Sequence, residues 1–308
     1  MAIITGITAE KMQEYVDENI VSGSINEMGN LILVKRDGTQ VDAGSSVPVV
    51  PLASDIEPGR IQLATNAEAI AGTATDRAIT PWNLANLVGY RFWQTIKYTS
   101  SGTFQKATYP GAKMIRVRVQ AGGGSGGCAA TASTGNNSKG AGGGGGGYAE
   151  RILYMENLAA SETVTVGAGG ASTTVVGAGN TGGTSSFGTL CVATGGIGGQ
   201  TATNQSLMVN AVGGEGGIGT TGDILIKGGA GGPGIGYATL GTGGTGGNSV
   251  MGGGADGTAT PSGGGNQNGR TGGNYGGGGG GAMANAGFSG TAPSGAGAPG
   301  IVLVDVYL

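Results

Sequence analysis

Gly195-Gly196-Ile197-Gly198-Gly199-Gln200, Gly213-Gly214-Glu215-Gly216-Gly217-Ile218, Gly228-Gly229-Ala230-Gly231-Gly232-Pro233 and Gly243-Gly244-Thr245-Gly246-Gly247-Asn248 share one pattern, two glycines followed by one residue that carries a side chain. Their period is three. Ten of the 73 glycines fall before residue 121, so 63 crowd into the remainder of the 308-residue chain. Collagen would need glycine at every third position with abundant proline, and the tract has neither. An extended helix of the polyproline II type also has three residues per turn, rises about 3.1 Å per residue and makes no internal hydrogen bonds. Each such run has one side-chain-bearing edge and two bare ones, across which neighbouring backbones can pair N–H with C=O. The pattern predicts a packed bundle of polyglycine II helices; the alternative is a disordered Gly/Ser linker.

Such a bundle needs an anchor. Ordering a residue costs about 1–2 kcal/mol of backbone entropy, more for glycine, and a backbone hydrogen bond returns only about 1 kcal/mol net. The β-branched, alternating segments Met114-Ile115-Arg116-Val117-Arg118-Val119, 148–153, Thr163-Val164-Thr165-Val166, Leu190-Cys191-Val192, 223–227 and the closing Ile301-Val302-Leu303-Val304-Asp305-Val306-Tyr307-Leu308 read as strands that supply it. The glycine runs then emanate from a β scaffold.

A net charge of −3 with 11% charged residues and no basic patch gives no nucleic-acid footprint. The chain has no histidine, and Cys128 and Cys191 lack metal-ligand spacing, so neither a metal nor a cofactor is expected. The two cysteines either pair or stand as lone buried thiols. The N-terminus lacks the build of a signal peptide and no run of eighteen apolar residues occurs, so the expectation is synthesis in a cytoplasm without membrane insertion.

Toward the N-terminus, Thr8 can cap a helix running through Met12, Tyr15, Val16 and Ile20 to a stop near Ser22-Gly23. Asp37-Gly38 between Leu31-Ile32-Leu33-Val34 and Thr39-Gln40-Val41-Asp42-Ala43 signals a hairpin. Residues 1–47 read as an attachment and oligomerisation module, and the prolines at 48, 51 and 58 make 48–58 an extended linker. Beyond it, Thr65-Asn66-Ala67-Glu68 is a capping box for a short helix stopped by Gly72, and Thr80-Pro81 opens a second through Trp82-Asn83-Leu84.

Gly59-Arg60-Ile61-Gln62-Leu63-Ala64-Thr65, Glu68-Ala69, Gly72-Thr73 and Asp76-Arg77-Ala78-Ile79-Thr80-Pro81 resemble the repeat of bacteriophage tail-fibre proteins, covering about twenty-five residues within a repeat module placed at 59–98. Gly102-Thr103-Phe104, Tyr109-Pro110-Gly111, the strand at 115–119, Tyr148-Ala149-Glu150, Gly183-Thr184-Ser185-Ser186-Phe187-Gly188 and Pro299-Gly300-Ile301-Val302 look like the glycine-rich C-terminal domain of phage minor tail and tail-fibre proteins, here 99–308. The resemblance implies a homotrimer in the virion, at a tail fibre or tail tip. Its N-terminal end would be held by other tail proteins, and its C-terminal end would face a bacterial surface glycan or protein. The expected fold class is mainly β: a small N-terminal helix-plus-hairpin module, a short helical fibre repeat, and a C-terminal β-sandwich-like domain with packed polyglycine II runs.

Catalysis is not expected, since histidine is absent and the acidic residues form no paired-carboxylate motif. Gly142 to Gly147 lacks the Gly-Lys-Ser/Thr ending of a phosphate loop. Binding residues concentrate on loops held by a rigid scaffold. The candidate receptor contacts are therefore Tyr237, Asn266, Gln267, Asn268, Arg270, Tyr275 and Phe288 at the glycine-bounded tips, with Thr260-Pro261-Ser262 and 204–208 beside them. Each has a structural alternative, a solvated tip or an aromatic packed over bare backbone. Three readings compete: a tail protein adhering to a host receptor, a structural tail component that joins or caps its neighbours, and an ice-binding polyglycine protein.

Overall fold

The computed structural model describes residues 20–45, 61–72, 77–87, 91–237, 240–259 and 265–308. It is mainly β with very few helices, and it divides into two compact units, Met1–Gly89 and Tyr90–Leu308.

In the first unit a three-stranded antiparallel sheet joins Ile20–Ile25, Asn30–Lys35 and Gln40–Ser45 in that order. The Asp37-Gly38 turn closes the expected hairpin, with Gly38 at φ 87° and the Asp37 carboxylate accepting from the Thr39 N–H. The first strand is a correction. Ile20 to Gly23, expected as the end of a helix, pairs with Leu33 to Lys35, because β-branched Ile20 and Val21 lie beside a complementary apolar strand. The rest of that proposed helix and the proline linker lie outside the described residues. The short helices Asn66–Ala71 and Pro81–Leu87 stand where their caps place them. Thr65 and Glu68 make a reciprocal capping box, Gly72 closes the helix in the left-handed region at φ 63°, and Thr80 pairs likewise with Asn83.

In the second unit, two five-stranded sheets share one core. The first orders Ile224–Ile226, Tyr148–Tyr154, Met114–Gln120, Ile301–Tyr307 and Phe92–Tyr98. The second orders Gly219–Thr221, Cys191–Ala193, Ser185–Phe187, Ser161–Thr165 and Gly102–Gln105. Ile115, Val117, Val119, Val302, Val304 and Val306 from one meet Phe104, Val164, Phe187 and Cys191 from the other, all buried. Alternation explains the choice: the intervening Arg116, Arg118 and Asp305 sit on the opposite face of the first sheet, where Arg116 pairs with Glu150 at 2.7 Å and Arg118 with Asp305 at 3.0 Å. Phe92–Tyr98, grouped by the sequence with the fibre repeat, is instead the edge strand beside Ile301–Tyr307, so the domain boundary lies at Gly89/Tyr90. Both cysteines are free and buried, which removes the pairing option.

The glycine runs rise from these sheets. Within 140–147 the amide directions follow a threefold cycle: Ala141, Gly144 and Gly147 donate to Gln200, Ile197 and Thr194; Gly142 and Gly145 to Gly232 and Gly229; Gly140, Gly143 and Gly146 to Ala282, Gly279 and Gly276. Its carbonyls cycle likewise among runs 121–127, 214–217 and 244–247. One run thus has six bonded neighbours. Runs 121–127 and 276–282 are surrounded in the same way, and these three inner runs also bond to one another.

Around them the outer runs close a ring by successive hydrogen bonds: 167–173, 177–183, 194–200, 212–218, 228–232, 243–248, 253–258, 269–273 and 292–299, the last bonding back to the first. A hexagonal array has nine sites around a triangle of three, and the ring fills all of them. Outer runs keep one side-chain edge: Ile197 and Gln200 are exposed while Gly195, Gly196, Gly198 and Gly199 are buried. Within the inner runs only Ser125 and the end positions Ala121, Ala141 and Ala282 carry side chains, and the inner glycines admit none. A Cβ on Gly142 would collide with the Thr245 carbonyl, and its φ is not the reason, since close approach alone excludes every residue but glycine.

Candidate functional site

Chain direction gives this bundle two ends. Runs join strands at Gln120, Tyr148, Ser185, Ala193 and Ile301, which defines a sheet end. About seven residues away, or roughly 22 Å at 3.1 Å per residue, the runs turn back, the described residues there being 128–139, 173–177, 201–211, 234–237, 240–242, 258–259, 265–268 and 283–292. These turns form a common pole. There a four-stranded sheet orders Thr201–Gln205, Asn137–Gly140, Met283–Ala284 and Asn266–Gln267, and the hairpin Ile235–Tyr237 with Leu240–Thr242 stands beside it.

The pole is uncharged on its surface. Lys139 is the one charged residue among its described residues and is fully buried, donating to the Asn137 side-chain oxygen at 2.8 Å; burial holds its pKa below the ordinary value of 10.5. The Asn285 side-chain oxygen, also buried, has no hydrogen-bond partner. Asn204, at φ 52°, accepts from the Ser133 N–H and the Asn136 side-chain amide, tying two pole loops together. Between these amides Val175, Leu207, Met208 and Leu240 stand exposed, Leu207 at 70%.

The structure divides the residues selected from sequence. Asn266 and Gln267 pair with Ala284 and Met283 in the pole sheet, with Asn266 and Asn268 exposed. Tyr237 ends a strand of the pole hairpin. Phe288 also belongs to the pole but packs half-buried against Ala129, Ala282, Ala284 and Ala292, the bland alternative for an aromatic over small side chains. Arg270 lies on an outer run and pairs with Asp256 at 3.3 Å. Tyr275 is at the sheet end, its ring beneath the Lys97 ammonium at 5.5 Å, so it does not join the others. Thr260-Pro261-Ser262 lie outside the described residues. Val175 and Leu240 were missed because an apolar residue in a sequence reads as core. Their position between glycine runs was the available signal.

Among the described residues, no group of three or more His, Cys, Asp or Glu side chains could hold a metal ion, and no helix is long and apolar enough to cross a membrane. No curated protein matches the chain. The family described as a glycine-rich domain matches residues 99–307, more than half of the sequence and nearly the whole of the two-sheet unit with its bundle. The chain belongs to that glycine-rich domain family.

Proposed function

We propose that this chain is a phage virion tail protein, at a tail fibre or tail tip, that recognises and adheres to a receptor on the bacterial surface through the pole of its glycine-rich domain. The threefold hydrogen-bond cycle supports polyglycine II helices, which form a stiff stalk that spends its backbone groups internally and leaves chemistry to the loops. One observation carries the reading: side-chain-rich segments gather at the pole remote from the two core sheets, where Asn266, Asn268 and Leu207 are exposed. No catalytic step is assigned. The test is competition: purified chain should reduce virion adsorption to host cells in a dose-dependent way, and an undiminished adsorption rate at saturating protein would reject the adhesive role.

A second reading, a structural tail component that joins or caps neighbouring proteins, is favoured by the first unit. Ile61, Leu63, Ile79, Trp82 and Leu84 are each more than half exposed within a small segment that cannot bury them itself. We assign these residues to contacts with identical copies, as in a homotrimer, or with other tail proteins. Sedimentation of the purified chain separates those two cases.

A further inference from the structure

A groove of about 350 Å³ opens on the side of the bundle just below the pole hairpin, within the size range of small-ligand sites. Its floor is glycine backbone, including Gly243, Gly244 and Gly257; Pro233, Ile235 and Ala259 form apolar walls, and Thr242, Thr245 and Thr258 bring hydroxyls. The floor is flat because added side chains would strike backbone: a Cβ on Gly244 would meet the Gly232 carbonyl. Its polar groups are already paired, Gly243 N–H with the Thr258 carbonyl at 2.8 Å and Gly244 N–H with Gly140 at 3.0 Å.

The three hydroxyls differ. Thr258 is buried and committed, donating to the Gly281 carbonyl at 3.0 Å and accepting from the Gly243 N–H at 3.2 Å. Thr242 and Thr245 are exposed and donate to no described group. Three residues apart, Thr242 at the end of the hairpin strand and Thr245 on the run that follows it, they lie about 9 Å from each other along the chain. No charged residue lines the groove.

We propose that this groove binds a neutral saccharide of one or two rings, deepening and resting on the adhesive reading above. An ionic ligand would lose its hydration without a counter-charge, and a purely apolar one would leave the threonine hydroxyls unused. A pyranose suits both features: its axial C–H face lies on the glycine floor against Pro233 and Ile235, while its rim hydroxyls exchange hydrogen bonds with Thr242 and Thr245.

The test uses the full chain with maltose, lactose and methyl α-mannoside, read by saturation-transfer NMR and by shifts of the threonine methyl signals. At least one sugar should bind with millimolar affinity and perturb Thr242 and Thr245. The double variant Thr242→Val, Thr245→Val, which keeps side-chain shape, should weaken that binding at least tenfold with an unchanged melting temperature. Absence of transfer from all three sugars, or equal binding by the variant, overturns the proposal. Adsorption competition with the same variant keeps the two readings apart. If the groove fails while the chain still blocks adsorption, only the saccharide site falls; if blocking fails as well, the adhesive reading falls with it.

Discussion

The side-chain amide nitrogen of Gln120 donates to the carbonyl of Gly147 at 3.0 Å and, at the same distance, to that of Gly146. Gln120 is the last residue of a core strand and is fully buried, so this one side chain closes the seam between sheet and central glycine run. Gln120→Leu keeps the approximate volume and takes the donor from the Gly146 carbonyl, while the Gly147 carbonyl keeps the Ala121 N–H at 3.0 Å. It should lower stability by roughly 1–3 kcal/mol, the cost of one unsatisfied buried polar group, measured by denaturant unfolding.

Close approach separates two glycines that look alike in sequence. Gly142→Ala forces a Cβ into the Thr245 carbonyl and should cost about 3 kcal/mol or more, or prevent folding. Gly253→Ala meets nothing within 4 Å and should stay within about 1 kcal/mol of wild type. Equal melting temperatures for the two would contradict the hexagonal array.

Lys139 sets a pH dependence of known sign. Its folded pKa lies below the unfolded value of 10.5 because burial disfavours the ammonium, so the folded state binds fewer protons between those values and stability rises with pH across that window. Lys139→Met, which removes the buried charge, should be more stable than wild type near neutral pH, and the gap should narrow as pH approaches about 10.5. Unfolding curves of the two proteins at several pH values read the difference directly.

Thiol reactivity should be silent in the folded protein. Cys191 lies in the two-sheet core and burial pushes its pKa up to about 12, while Cys128 is buried at the base of the pole and likewise raised. Ellman's reagent at pH 8 should label neither until denaturant is added, and then both.

The divided candidate set makes a further contrast. Replacing Asn266, Gln267 and Asn268 together by Ala should abolish competition for adsorption without altering the melting temperature, whereas Tyr275→Ala, at the sheet end, should leave competition unchanged. Loss of competition in the tyrosine variant alone would move the binding surface away from the pole.

Much of this architecture can be read from local patterns. The strands at 114–120, 148–154 and 301–307 carry alternating apolar residues, and Thr65, Gly72 and Thr80 mark their helix ends by capping chemistry. The arrangement of the runs is also partly encoded: Gly142 to Gly147 and Gly276 to Gly281, uninterrupted, are inner, whereas the Gly-Gly-X repeats are outer because only they need an outward side chain. Which run neighbours which is not encoded, since identical bare backbones bond equally well. The strand at Ile20 was hidden because its residues also fit a helical stripe and only the partner strand decides. At the pole, the burial of Phe288 and the separation of Tyr275 from Asn266 depend on long-range placement that spacing in the sequence does not report.

The filled ring of nine around three has an evolutionary consequence. The inner glycines tolerate no other amino acid, so divergence among relatives is channelled into the outward third residues of peripheral runs and into the returns between them. Each return is pinned at both ends by bonded backbone, so its length and composition can drift without disturbing the lattice that carries it.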